Sequence, residues 1–252
     1  MNTEKYLTRI AYNDNVHLDL YTLKQLQKQH LLHIPFENLD IHYNVPIRLD
    51  TETIFEKIVN RKRGGFCYEL NGLFLELLCA LGFKTKRISG RVYNKETSEF
   101  GEEYDHLAIV VILDDGEYLV DAGLGEFAFA PLKIELNTVQ HDIRGDYSIR
   151  EYDGEYLIIY KVNDTKKIPQ YIFKNAQREY GEFAGMCHYH QTSPESPFTK
   201  NKLVSLPTES GRITLTDDKL KVSENGHTSE TPIADKAEFK EKLRKVFGIT
   251  VS

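Results

Sequence analysis

The run Arg63-Gly64-Gly65-Phe66-Cys67-Tyr68-Glu69-Leu70-Asn71 puts a cysteine one residue beyond a pair of glycines, at the head of an amphipathic stretch. A thiol at a helix N-terminus feels the positive end of the helix dipole and unpaired N–H groups, both of which favour thiolate. The same N–H groups could stabilise an oxyanion formed when the sulfur attacks a carbonyl. The other reading of Cys67 is a small buried hydrophobe, the usual fate of a free cysteine. A nucleophile needs a base, and the base an orienting group. His106 precedes the strand-like segment 107–113, and Asp121 ends the next one, 118–121. A tight turn at Asp115-Gly116 would set Asp121 opposite Val110, four residues from His106, too far for a hydrogen bond at ~3.4 Å per residue. A longer loop or a bulge that moves Asp121 opposite Ala108, or nearer His106, brings the two together; an even offset keeps both on one face. Taken singly, His106 also reads as a strand-end histidine and Asp121 as a turn initiator.

Other chemistry-capable groups carry less. Glu37 and Arg63 read as a buried ion pair tying residues 34–39 to the loop before Cys67. Cys187-His188-Tyr189-His190 has metal-capable side chains, with both rings on one face if the segment is a strand, but no second ligand cluster exists to close a zinc site. No metal is therefore expected. Cys79 falls beside a leucine stripe and reads as core. Gly123 and Gly125 lack the third glycine and the following helix of a dinucleotide fingerprint.

The elements that must position these groups are helical first and extended later. Thr22 with Gln25 reads as a capping box for a helix carrying Leu23, Leu26 and Leu31, stopped by Pro35. A second helix from about Thr51 shows Ile54, Phe55, Ile58 and Val59 on one face. Residues 67–81 form the clearest helix, with Leu70, Leu73, Phe74, Leu77, Leu78 and Leu81 in one stripe and Gly82 as its cap. From about residue 86, short β-rich segments follow at 87–93, 107–113, 117–120, 147–150 and 155–162, with turns at Asp114-Asp115-Gly116 and Asp153-Gly154-Glu155. They suggest an antiparallel sheet closing into a barrel or sandwich. Residues 192–207 read as a connection, 212–215 and 219–222 as short strands, and 234–247 as a last helix with Phe239, Leu243 and Val246 on one face. The fold class is α+β.

Composition excludes several functions. The 252 residues carry 32 basic and 38 acidic side chains, a formal charge of −6, which supplies no broad basic field for nucleic acid. The longest strongly apolar run, 107–113, falls far short of the ~20 residues of a membrane helix, and the start has no apolar signal segment. Three cysteines (Cys67, Cys79, Cys187) cannot pair completely. A reducing cytoplasm is expected, with no nucleic-acid or membrane partner. Nothing in the sequence bears on oligomeric state.

The segment around Cys67 resembles the active-site segment of the arylamine N-acetyltransferases. Ile34-Pro35-Phe36-Glu37-Asn38-Leu39 is similar to that family's early signature, Val120-Asp121-Ala122-Gly123-Leu124-Gly125 to a third, and Thr192-Ser193-Pro194-Glu195-Ser196 with Phe198 to a fourth that meets coenzyme A. The resemblance spans residues 34–198 in order and spacing, and the length suits a bacterial member. It implies a helical domain (1–85), a central antiparallel β-barrel (86–191) and a C-terminal α/β lid (192–252), with a papain-like cysteine triad of Cys67, His106 and Asp121. It implies two-step transfer of acetyl from acetyl-CoA, through a cysteine thioester, to an arylamine, arylhydrazine or N-hydroxyarylamine. By the same likeness, Phe36 and Leu124 border the acceptor pocket, and Gly125, Tyr189 and Ser196 lie near the coenzyme. Leu124 stands where the family often has phenylalanine, Glu126 follows Gly125, and residues 94–105 are acidic. The rival readings are a cysteine hydrolase or transglutaminase-like acyl transferase and a non-catalytic ligand-binding relative. The coenzyme segment disfavours the first, and the full triad the second.

Overall fold

The computed structural model describes residues 1–163 and 166–251; Ser252, the last residue of the expected lid, lies outside them. The chain opens with α1 (Thr3–Arg9), α2 (Leu20–His33), β1 (Phe36–Glu37), α3 (Leu39–His42), α4 (Thr51–Phe55) and α5 (Cys67–Leu81). The cap of α2 is Asp19, whose side chain accepts from the Thr22 N–H at 2.8 Å, not Thr22 as its spacing to Gln25 suggests. The helix expected from Thr51 widens after Phe55 into a π-helical turn, Glu56–Asn60. α5 has the expected bounds and ends at Gly82. Cys79, on the side of α5 away from its leucine stripe, is exposed rather than core, and its sulfur bonds Thr85 Oγ1 at 2.9 Å.

The middle of the chain holds β2 (Lys84–Asn94), β3 (Glu99–Phe100), β4 (His106–Leu113), β5 (Gly116–Val120), β6 (Leu132–Lys133), β7 (Val139–Asp142), β8 (Gly145–Tyr152), β9 (Tyr156–Asn163) and β10 (Lys166–Phe173). They form one antiparallel sheet in the order β6-β5-β4-β2-β10-β9-β8-β7, with β3 on β2. The two edges meet through a side chain. Gln140 on β7 accepts from the Lys133 N–H at 2.7 Å and donates to the Lys133 carbonyl at 2.8 Å, standing in for a strand pair and nearly closing a barrel. Ile88, Val110, Leu119, Ile149, Ile159 and Phe173 are among the residues that fill it. β10 is absent from the sequence expectation, because Pro169 and the bulge beside it interrupt its alternation.

After a 3-10 turn (Tyr180–Phe183) come α6 (Ala184–Thr192), α7 (Pro197–Lys200), β11 (Leu203–Thr208), β12 (Gly211–Thr216), β13 (Lys219–Glu224), β14 (His227–Pro232) and α8 (Lys236–Phe247). The stretch expected to be a plain connection thus contains both α7 and most of β11. The second sheet runs β1-β11-β12-β13-β14, so Phe36–Glu37 from the N-terminal part forms its edge. Leu39, Val204, Leu215, Phe239 and Leu243 pack beneath it. No helix among the described residues is long and apolar enough to cross a membrane.

Candidate active site

The approach to Cys67 is fixed by a close backbone contact. A Cβ at Gly64 would stand 2.0 Å from the Pro35 carbonyl oxygen, so only glycine lets the two loops pass. The Glu37 N–H donates to the Gly65 carbonyl at 2.9 Å, and the Gly65 N–H to that of Pro35 at 3.3 Å. Phe36 is therefore held between the loop before Cys67 and β11. Behind this crossing lies a buried ion cluster larger than the expected pair. Arg63 reaches both Glu37 and Asp40 at 2.7 Å; Lys57 reaches Asp40 and Glu69 at 2.8 Å. Glu69 also accepts from the Phe66 N–H at 3.2 Å, so the cluster caps the helix that begins at Cys67.

The hairpin β4–β5 settles the register question. Leu113 pairs with Gly116 across a two-residue Asp114-Asp115 turn, and Ile109 with Val120, so the next step sets Asp121 opposite Ala108. That is two residues from His106 and on its face. His106 Nε2 lies 2.7 Å from Asp121 Oδ2.

Asn71 joins this pair to the cysteine. It sits one helical turn after Cys67, on the same side of α5. Its Nδ2 donates to Asp121 Oδ1 at 2.9 Å and to the Leu107 carbonyl at 2.5 Å, and its Oδ1 accepts from the Ala122 N–H at 2.7 Å. Asp121 Oδ1 also accepts from the Gly123 and Leu124 N–H groups. Gly123 lies so close that a Cβ there would meet Cys67 Cα at 2.8 Å. Cys67 itself packs with Phe66, Tyr68, Leu107, Phe183 and Cys187 and is 4% exposed. Through Asn71 and the close approach of Gly123, the His106–Asp121 pair is set against the face of α5 that carries Cys67.

Electrostatics separate the two acid members. Burial pushes the Asp121 carboxyl up, but His106, Asn71 and the Gly123 N–H outweigh it and hold it below the ordinary carboxylate range. Cys67 goes the other way. Burial pushes its thiol well up, the Asp105 and Asp121 charges add to this, and the Tyr68 N–H opposes. Burial is the largest of these influences and acts against the thiolate that the helix terminus was expected to favour.

The remaining candidate residues scatter around this centre. Phe36 and Leu124 are half-buried, and Gly125 is exposed. Phe198 stands 6.0 Å from Phe36 and 6.1 Å from Phe66, ring to ring. Tyr189 is 38% exposed. Ser196 is fully buried, its hydroxyl capping α7 by accepting from the Phe198 N–H. Cys187 to His190 lie on α6, not on a strand, so His188 points to solvent and His190 is buried; the two rings do not share a face. Among the described residues no three His, Cys, Asp or Glu side chains gather as a metal site.

Three features escape a sequence reading built on Cys67, His106 and Asp121. Asn71 lies within the motif around Cys67, and its i+4 spacing from the cysteine is the available signal. Tyr171, on β10, packs 5.3 Å from the His106 ring, and the Asp121 carboxylate adds to the upward push that burial gives its hydroxyl. Asp105 pairs with His190 across 85 positions, for which no local pattern exists.

The comparisons with known proteins give the class to which this fold belongs. The N-acetyltransferase family model matches residues 19–252, and the chain belongs to the arylamine N-acetyltransferase family of acyltransferases. It is 32% identical to the arylamine N-acetyltransferase of Mycolicibacterium smegmatis, over 99% of this chain and 92% of that one. A Bacillus cereus arylamine N-acetyltransferase, described as having a unique Cys-His-Glu catalytic triad, superposes with a TM-score of 0.91 at 27% identity over all of both chains. That of Mycobacterium marinum, solved in complex with CoA, gives 0.89 at 29% identity over 98% of this chain and 93% of that one.

Proposed function

We propose that the chain transfers acetyl from acetyl-CoA through a Cys67 thioester to an arylamine, arylhydrazine or N-hydroxyarylamine. In the first half-reaction His106 takes the Cys67 proton as the sulfur attacks the thioester carbonyl. The new S–C bond forms, the coenzyme's C–S bond breaks, and the departing thiolate recovers the proton from His106. In the second, the weakly basic amine, largely unprotonated at neutral pH, attacks acetyl-Cys67; its surplus proton passes by way of His106 to the departing cysteine sulfur. Asp121 holds the imidazole tautomer and stabilises its charge.

The observation that carries this reading is the Asn71 bridge, which links the His106–Asp121 pair to the helix face of Cys67. The marinum enzyme's complex with CoA supports coenzyme A as the acetyl carrier. Exposed Tyr189 and Gly125 are suited to touch it. Ser196, whose hydroxyl is enclosed, would act on it through the cap of α7. Phe36 and Leu124, with Phe198 facing Phe36, would border the acceptor. We take the division into residues 1–85, 86–191 and 192–252 as the working domain scheme, with β1 as the strand that crosses it.

Two-substrate kinetics test the proposal. Acyl storage on the enzyme predicts parallel double-reciprocal lines and release of CoA before acceptor is added. Intersecting lines with no such release contradict it, and acetyl passing to water at an unchanged rate with or without amine points to a hydrolase.

A further inference from the structure

A second His–Asp pair lies beside the first. Asp105, the residue before His106, sets Oδ1 3.1 Å from His190 Nε2, while Oδ2 accepts from the Val92 N–H at 3.2 Å. His190 Nδ1 stands 3.1 Å from Ser196 Oγ. His190 is 3% exposed, and the Asp105 side chain 18%. Among the described residues, His190 is the one basic side chain within 4.0 Å of the Asp105 carboxylate. The other groups facing the ring are Tyr68 from α5 (6.1 Å), Tyr189 on its own helix (5.5 Å) and Phe198 from α7 (5.0 Å).

Counting protons fixes how the pair is used. Ser196 has one hydroxyl proton, and its oxygen already accepts from the Phe198 N–H. That proton can go to the His190 carbonyl at 3.2 Å or to Nδ1. With a neutral ring, Nε2–H serves Asp105, Nδ1 takes the serine proton, and the His190 carbonyl loses this donor. With both nitrogens protonated, Nε2–H serves Asp105, Nδ1–H serves Ser196, and Ser196 serves the carbonyl. Every contact is met, and the carboxylate faces an opposite charge.

We propose that His190 is a positioning residue for the Cys67 nucleophile: as an imidazolium it clamps Asp105, cancels that carboxylate's charge at the active site, and through Ser196 seats the short helix bearing Phe198. Tyr68, the residue after Cys67, donates its hydroxyl to the Asp105 carbonyl at 3.1 Å, so Asp105 is anchored between the nucleophile's neighbour and His106. After burial, its charge is the first influence raising the Cys67 thiol, so its compensation bears on how readily the sulfur ionises. Nothing in the acetyl-transfer reading requires this pair, although the inference rests on that reading for Cys67 as the nucleophile.

The test measures alkylation of each cysteine by iodoacetamide against pH, with peptide mass spectrometry, in wild type, His190→Gln, Asp105→Asn and the double variant. Exposed Cys79 serves as internal reference. The glutamine amide in His190→Gln keeps a donor for Asp105 but carries no charge. His190→Gln is expected to slow Cys67 alkylation about tenfold at a given pH, moving its midpoint up by about one unit, with Cys79 unmoved. Asp105→Asn moves the midpoint down, and in the double variant it restores the wild-type profile. An unmoved Cys67 profile in a folded His190→Gln protein, or a shift that survives in the double variant, overturns the inference. If His190→Gln fails to fold, His190→Asn carries the same arm: a raised midpoint that Asp105→Asn restores supports the clamp, and an unmoved one refutes it. The readout needs no acetyl-CoA. A wild-type protein that shows these shifts but never takes up acetyl would sink the transferase reading and leave the clamp standing.

Discussion

Asn71 Nδ2 donates to Asp121 Oδ1 at 2.9 Å, one helical turn past Cys67, so one amide ties the helix that carries Cys67 to the loop that carries Asp121. The same amide holds the Leu107 carbonyl, next to His106. A disturbance here moves His106 and Asp121 together. Asn71→Asp keeps an acceptor for the Ala122 N–H but turns an oxygen toward Asp121 and Leu107. Transfer is expected to fall by about 100-fold or more, the cost of roughly 1 Å of misplacement, with stability lower by about 1–3 kcal/mol. Steady-state kinetics and urea unfolding on the variant check this; near-wild-type turnover would remove Asn71 from the positioning machinery.

Asp121 carries a signature in pH. Its folded carboxyl is held low, so its contribution to stability is present above the ordinary unfolded value of about 4 and is lost as pH falls through the folded one. The stability gap between wild type and Asp121→Asn should hold steady at neutral pH and narrow below about pH 4. Activity of Asp121→Asn should fall by about 10³–10⁴-fold throughout. Urea midpoints at stepped pH measure the first; a gap that does not change with acidification contradicts the bound-anion account.

The ion cluster under the Cys67 loop holds three carboxylates with two cations. Arg63→Met leaves Glu37 and Asp40 with Lys57 alone, at 3.8 and 2.8 Å. Loss of one buried partner costs about 3–5 kcal/mol. The expected outcome is a large drop in unfolding free energy; a loss under about 1 kcal/mol would show that the cluster is not held as described.

Arg212 reaches from β12 to the Gly125 carbonyl and bonds Ser205 Oγ at 2.8 Å, while Arg144 donates to the Gly211 carbonyl at 2.8 Å. Two arginines thus bridge barrel and second sheet in opposite directions beside the Asp121 loop. Arg212→Leu should raise KM for acetyl-CoA about tenfold, the equivalent of about 1.4 kcal/mol, with Cys67 alkylation unchanged. An altered alkylation rate with an unaltered KM would place its effect on the nucleophile instead.

What a sequence reader can see here depends on how local each signal is. Helix α5 is legible because six apolar residues repeat at helical spacing and Gly82 follows. The 108–121 register is legible as an alternative because pleat parity forbids odd offsets; choosing it requires knowing that the turn is Asp114-Asp115. Residues whose role depends on a distant partner leave no trace. His190 reads as no more than a metal-capable side chain in a strand until α6 sets it against Asp105. Strand β14, His-Thr-Ser-Glu-Thr-Pro, is exposed along its whole length and so carries no apolar alternation. Cys79 reads as core because it neighbours leucines in sequence, while the helix turns it outward.

The central claim is that sulfur 67 carries the acyl group, and peptide mapping after incubation with acetyl-CoA alone tests it most directly. The account predicts one acetyl group, on Cys67, lost on adding an aromatic amine and never formed in Cys67→Ser. Acetyl found on Cys79 or Cys187, or no covalent acetyl while the amine is still acetylated, would contradict it.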